Sequence, residues 1–249
     1  LKKKYMNNMN QNKKCLIFQP AGIGDIMFCQ YICKQYVQKG YNVIYPLKSS
    51  LMYLKEYISN PGVTFIDIES NFEGKQYLNK SIDSIFTDDF VFLNLDQSQR
   101  QINTDETTMH SKYSLVNLDF KKWADGFELI RNKEREDWLY YDLLKLKDDS
   151  IYSVKNNKYG TPPDTHYFPL PELESDIDLQ DMPFIEGTNI MDWCKVLENA
   201  KGIVTVDTCI LYIMTKLKVK YEYYYLFCRP GWSYKNYIDI TPFKWDVLN

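Results

Sequence analysis

Apolar and polar positions along the chain switch repeatedly between the period of a strand and the period of a helix. Cys15-Leu16-Ile17-Phe18 is a short apolar run of the kind that forms a buried strand, and Pro20-Ala21-Gly22-Ile23-Gly24 ends it as a turn. Asp25 then stands at a helix start, with Ile26, Cys29, Cys33, Tyr36 and Val37 at helical spacing and Gly40 as a natural stop. Asn42-Val43-Ile44-Tyr45 reads as the next strand, so residues 14–45 form a strand–helix–strand unit. The pattern predicts a helix over 51–58 and strands at Val63-Thr64-Phe65-Ile66 and Phe90-Val91-Phe92-Leu93. From 121 to 146 it turns helical, with Trp123, Phe127, Ile130, Trp138, Tyr141, Leu144 and Leu146 on the apolar face.

A second alternating stretch opens with the strand Ile151-Tyr152-Ser153-Val154. A loop over 159–164, a Pro-rich acidic stretch over 169–181 and a short strand Pro183-Phe184-Ile185-Glu186-Gly187 follow. Ile190, Trp193, Cys194 and Leu197 fall at the i, i+3, i+4, i+7 spacing of an amphipathic helix that ends at Gly202. Residues 202–206 are the next strand, Asp207-Thr208 opens a helix running to about Leu217, and 221–227 is a last buried strand. Alternation of this kind favours parallel sheets covered by helices. The expected organisation is a flexible leader over 1–13, one Rossmann-like α/β domain over 14–148 and a second over 149–249.

Composition narrows the picture. Of 249 residues, 45% are hydrophobic and 25% charged, as in an ordinary globular protein. The aromatic share is 16%, with 21 Tyr, which suits either sugar-stacking rings or a Tyr-rich core. A net charge of -3 offers no electrostatic case for nucleic acid. No run of 18 apolar residues predicts a membrane span, and the basic leader (Lys2-Lys3-Lys4, Lys13-Lys14) lacks the apolar centre of a signal peptide. The six Cys include no CxxC pair and there are only two His, so a structural zinc site has few candidate ligands. Reduced cysteines point to a cytoplasmic protein. The chain opens on Leu1, which fits one domain of a larger polypeptide.

Two strand-to-helix turns carry the candidate chemistry. In Gly22-Ile23-Gly24-Asp25 the glycines allow close backbone approach at a helix N-terminus. It is not a dinucleotide fingerprint, because Met27 stands where the third glycine belongs and no acidic residue follows the second strand. No Gly-Lys-Ser/Thr occurs, so there is no P-loop. Asp25 suits a helix N-cap or a general base taking a proton from a sugar hydroxyl. At the second turn, Val206-Asp207-Thr208-Cys209, a diphosphate would meet the N–H groups of Thr208 and Cys209. Asp207 would repel phosphate and suits sugar hydroxyls or a helix cap.

The helix over 189–200, the strand over 203–206 and the run Asp207-Thr208-Cys209-Ile210-Leu211-Tyr212 resemble the donor-site block of heptosyltransferase-like enzymes. These are inverting GT-B glycosyltransferases of family 9, which carry Asp-Thr/Ser-Gly-x-x-His-Leu-Ala there. Their Gly-x-Gly-Asp or Met-Gly-Asp turn after the first strand is matched by Gly24-Asp25. The resemblance implies two Rossmann-like domains facing each other across a cleft, Asp25 as base, Asp207 and Thr208 as donor ligands, and no metal or cofactor. The implied partners are a nucleoside-diphosphate sugar as co-substrate and a glycan or glycoconjugate acceptor. Cys209 replaces the family's Gly and Tyr212 its His, so ADP-heptose is not favoured over UDP- or GDP-linked hexoses and deoxyhexoses such as rhamnose.

Further donor-side candidates are Asn156, Lys158, Tyr159 and Gly160 after the first strand of the second half, and Arg229, which suits a bidentate phosphate contact. Gly22 and Gly24 are a candidate phosphate or acceptor loop. Glu186 suits a ribose, Lys112 and Trp123 the acceptor, and His166 a packed or solvated side chain. Two other readings stay open: a metal-dependent GT-A enzyme using Asp176-Ile177-Asp178, and a non-catalytic nucleotide-sugar-binding domain.

Overall fold

A computed structural model of the chain describes residues 13–160, 164–169, 178–229 and 234–248. The chain divides into two compact units, Leu1–Ile130 and Arg131–Asn249.

The first unit is built on β1 (Lys14–Phe18), α1 (Ile23–Phe28), α2 (Gln30–Gln38), β2 (Asn42–Leu47), β3 (Val63–Asp67), β4 (Ile85–Phe86) and β5 (Phe90–Asn94). Its strands lie in the order β3-β2-β1-β5-β4, parallel except where β4 meets β5. Leu16 sits opposite Ile44 and Phe92 in register. Because side chains alternate across a pleat, Leu16, Phe18 and Phe92 gather on one face. The other face of β1 carries Cys15 and Ile17, both buried. Two short helices follow, α3 (Ser98–Ile102) and α4 (Thr108–Ser114), the latter capped by the Thr107 hydroxyl accepting from the His110 N–H. A 3-10 helix over Phe120–Gly126 buries Trp123 with its ring 6.0 Å from that of Phe28.

The second unit contains α5 (Lys133–Asp137), β6 (Ser153–Asn156), β7 (Lys158–Tyr159), β8 (His166–Tyr167), β9 (Leu179–Asp181), α6 (Cys194–Asn199), β10 (Gly202–Val206), α7 (Ile210–Leu217), β11 (Tyr223–Phe227), α8 (Lys235–Ile238) and β12 (Asp246–Leu248). The sheet order is β9-β6-β10-β11-β12, all parallel, with β7 and β8 forming a separate hairpin. The 3-10 turn Ile190–Trp193 ahead of α6 starts with a capping box between Asn189 and Asp192. Asp192 is buried and also holds Arg135 of α5 at 2.6 Å. Lys195 of α6 pairs with Asp137 at 2.6 Å.

These contacts explain why the units part between residues 130 and 131 and not at 148: the polar face of α5 is fastened to the start of α6. The helix expected over 121–146 is broken. Phe127 is extended, Glu128–Leu129 pairs with Ile58–Ser59, and α5 continues as a π-helix over Trp138–Leu143. That turn shifts the helical register, so Leu139 and Tyr140 are buried while Tyr141 is exposed. The 51–58 segment is a 3-10 helix over Ser49–Glu56. No strand forms over 183–187, where Glu186 lies exposed in a turn; the edge strand is β9, inside the stretch expected to be an acidic loop. The strand expected at 151–154 sits two positions later, because Ile151 is 73% exposed and Asn156 completes the pairing with β10.

Candidate functional site

Both sheets reverse their strand order beside a central strand, and open α/β sheets bind ligands at the carboxyl ends of strands at such a switch. In the first unit the switch lies between β1 and β5, in the second between β6 and β10.

At the first switch, Gly22 takes a left-handed φ of +81° and is the residue before α1. Asp25 is the third residue of that helix, and no side chain caps it, so the N-cap alternative for Asp25 does not hold. Gly24 is buried inside the helix. The Asp25 carboxylate folds back over Gly22: a Cβ there would stand 2.5 Å from Asp25 Oδ2. The other oxygen, Oδ1, is 3.3 Å from Lys112 Nζ. Lys112, on α4, has a side chain only 1% exposed, against 33% for Asp25. Its ammonium donates to Gln19 Oε1 at 2.6 Å, just beyond β1, and to the Leu95 carbonyl at 3.0 Å, just beyond β5. The Tyr45 hydroxyl in turn donates to the Gln19 carbonyl at 3.1 Å. Burial, relieved in part by Lys112, pushes the neighbouring Cys29 thiol up to about 12. Trp123, expected near an acceptor, is a core residue.

At the second switch, the Asn156 amide donates to Thr205 Oγ1 at 3.3 Å and Thr208 Oγ1 at 3.4 Å, bridging the ends of β6 and β10. Asp207 is not a helix cap; α7 begins after Cys209 with no side-chain cap. Instead the fully buried Asp207 carboxylate accepts from both the backbone N–H of Arg229 (3.1 Å) and its Nε (3.0 Å), through Oδ1. Oδ2 of Asp207 is buried with no hydrogen bond among the described residues. Arg229 Nη2 donates to the Tyr237 hydroxyl at 3.1 Å, and the guanidinium lies 4.7 Å from the centre of the Tyr159 ring. Burial acts to lower the Arg229 pKa, but the Asp207 hydrogen bond and charge outweigh it and hold the group above its ordinary value. The sequence offered no signal for Tyr237, which lies in the chain after β11.

Tyr159 is itself stacked on His166 (4.9 Å) and Phe168 (5.7 Å), so the β7–β8 hairpin is an aromatic shelf under Arg229. Gly160, φ +86°, closes the shelf; a Cβ there would come 2.3 Å from the Asp164 carbonyl. Lys158, one step along the pleat, turns away and sets its ammonium 4.1 Å from the centre of the Phe184 ring. Burial lowers its pKa, with Asp181 opposing. The structure therefore gathers Asn156, Tyr159, Gly160, Asp207, Thr208 and Arg229 and sends Lys158 to Phe184. Cys209 precedes α7, with its thiol raised by burial to about 12. Asp176 and Ile177 lie outside the described residues. Among the described residues no cluster of three His, Cys, Asp or Glu side chains is placed to share a metal. No described helix is long and apolar enough to cross a membrane.

Two parallel α/β sheets in succession, each with polar side chains at its switch point, define a GT-B-type architecture. The chain is similar to the glycosyl transferase family 9 structure from Veillonella parvula, with 10% identity, a TM-score of 0.51, and 95% of this chain and 85% of that one covered. The ADP-heptose lps heptosyltransferase II of E. coli matches at 12% identity and a TM-score of 0.49, covering 94% and 90%. The dodecameric glycosyltransferase TibC from enterotoxigenic E. coli matches at 11% and 0.47, covering 93% of this chain and 62% of that one. No protein-family model and no curated protein matches the sequence. The Veillonella likeness shows a shared fold, and with it the family 9 resemblance read from the two sequence blocks is borne out at the level of the fold.

Proposed function

We propose that the protein is an inverting glycosyltransferase that moves a sugar from a nucleoside diphosphate to a hydroxyl of a glycan without a bound metal. The observation that carries this reading is Arg229, a guanidinium fixed on three sides by Asp207, Tyr237 and the Tyr159 ring at the switch point of a parallel sheet. A planar cation held this way suits the two oxygens of a leaving diphosphate, and its placement is complete before the ligand arrives. The Thr208 hydroxyl and the N-terminal end of α7 supply neutral donors beside it. Asp207, buried under Arg229, anchors that cation in this reading and does not reach sugar hydroxyls through Oδ1. Lys158 is a second, outlying cation.

In the first unit Asp25 is the partly exposed carboxylate at the switch point that a buried cation holds in place, whereas Asp96 beyond β5 is tied to the exposed Lys80. It takes the proton of the acceptor hydroxyl as that oxygen attacks the anomeric carbon. The nucleoside diphosphate leaves on the opposite side of that carbon, and its new charge falls to Arg229 and the α7 N–H groups. The sugar is a hexose, deoxyhexose or heptose.

A thermal-shift panel of ADP-, UDP-, GDP- and dTDP-linked sugars tests the binding half, since a ligand of the folded state raises Tm. We expect at least one donor to raise Tm, and Arg229→Met to abolish that rise. Asp25→Asn should keep the rise and lose transfer by about 10²-fold or more, the usual weight of a positioned base. A fully active Asp25→Asn removes the assigned base; a panel with no binder removes the donor assignment.

A further inference from the structure

The first unit spends a buried charge where a neutral group would serve the packing. Lys112 reaches from α4 into the switch point, where its ammonium, 1% exposed, meets Gln19 Oε1, the Leu95 carbonyl and Asp25 Oδ1. Two of these partners are neutral and tie together the chain ends leaving β1 and β5. The third is the carboxylate that faces solvent. Burying an ammonium is costly unless it is paired and hydrogen-bonded, so the location of its countercharge is not incidental. Asp96 is the other nearby carboxylate; it is paired with Lys80 at 2.9 Å. The remaining titratable neighbours, Cys29 and Tyr45, are buried and pushed upward by that burial, so they supply no negative charge near neutral pH.

The Asp25 carboxylate is thus held at one oxygen and has room for the other only because residue 22 is a glycine. Lys112 stands at Oδ1, and the bare Cα of Gly22 lies beneath Oδ2, where any side chain would collide with it. From this geometry we propose that Lys112 is a positioning residue for the transfer reaction: it fixes the Asp25 carboxylate in the orientation from which it accepts the acceptor's proton, and does so without touching either substrate. The proposal rests on the reading of Asp25 as the base. A carboxylate on a six-residue helix has several rotamers; a cation anchored to two strand ends selects one. Misplacing a reacting group by about 1 Å is enough to cost roughly 10²-fold in rate.

The test uses the full chain and follows release of nucleoside diphosphate from the nucleotide-sugar panel, with water or added glycan as acceptor, for wild type, Lys112→Met, Asp25→Asn and the double variant. Met keeps the length of the lysine stem. We expect Lys112→Met to lower kcat by about ten- to a hundredfold, in line with such misplacement, with KM for the donor nearly unchanged. The double variant should be no worse than Asp25→Asn alone, because a residue that acts only through Asp25 has nothing left to lose once Asp25 is gone. A Lys112→Met protein with wild-type kcat, a loss confined to KM, or a further loss in the double variant would each overturn the proposal. If Asp25→Asn is fully active, or wild type releases nothing from any donor, the reading of the base or of the donor fails first and takes this inference with it. Should Lys112→Met not fold, Gln19→Met removes the acceptor that draws the ammonium into place and is read in the same way. If neither variant folds, Lys112 belongs to the core alone and the proposal is wrong.

Discussion

Arg229 and Asp207 show how a surface-seeming charge becomes part of the frame. The carboxylate is fully buried, and the arginine reaches it with both its backbone and its side chain, so the turn after β11 is stapled to the turn after β10. Removing one member of a buried pair strands the other. We therefore expect Asp207→Ala to destabilise the protein by about 3 kcal/mol and Tyr237→Phe by about 1 kcal/mol, both read from urea denaturation. Asp207→Ala should also abolish the nucleotide-dependent rise in Tm, whereas Tyr237→Phe should only reduce it. Asp25 and Arg229 were each legible in the sequence as polar residues at strand ends. Of their partners, Asp207 and Tyr159 were named from the sequence, but two were not read as partners: Lys112 is far from Asp25 along the chain, and Tyr237 follows a stretch with no clear periodicity, so only the folded sheet brings either pair together.

Elements were legible in proportion to how local their causes are. The βαβ unit at the N-terminus follows from one apolar run, one glycine turn and one helical stripe; its strands pair as read, while the single helix expected from Asp25 to Gly40 starts at Ile23 and is divided at Cys29. The helix 189–200 keeps its position because Asn189 and Asp192 cap it, though its first turn is 3-10. Replacing Asn189 with Ala should cost about 1 kcal/mol, visible as a lowered midpoint in denaturant. The stretch 121–146 failed as a single helix because its apolar positions answer to two different surfaces. Phe127 and Leu129 serve the first unit, while Leu139 and Tyr140 serve the second. Edge strand β9 was hidden for a related reason: three residues paired to β6 need almost no hydrophobic signature of their own. At the first turn, Gly22→Ala combines a left-handed φ with a collision against Asp25. It should cost about 1–2 kcal/mol per the usual penalty for that conformation and also lower kcat, whereas a strain confined to the backbone would leave kcat intact.

At the scale of the whole chain, the division into two α/β units was readable from the repeated alternation, and the family 9 likeness from two short blocks, one in each unit. Thiols give a way to watch the units separately. Cys15 and Cys33 are buried in the first and Cys194 in the second, each raised by burial, Cys194 to about 12. Only the thiolate is alkylated, so a raised pKa slows the reaction at pH 8, and each unit of pH speeds it about tenfold until the thiol titrates. Cys228, half-exposed and raised by burial only to about 11, should be the first of the six to react with iodoacetamide. Nucleotide bound at the second unit should protect Cys194 more than Cys15 and Cys33 when the modified sites are counted by mass spectrometry. Equal protection would mean that the nucleotide is not held by the second unit alone.

The two sheets share a plan, yet their notches are filled differently. In the second, a neutral amide, Asn156, spans the gap between neighbouring strands and brings no charge of its own to it. In the first, the corresponding gap is plugged from behind by an ammonium whose hydrogen bonds all go to the protein's own oxygens. Under the proposed function, duplicated architecture therefore does not mean duplicated appetite: the lysine stopper suits one half to handling protons and leaves phosphate to the other.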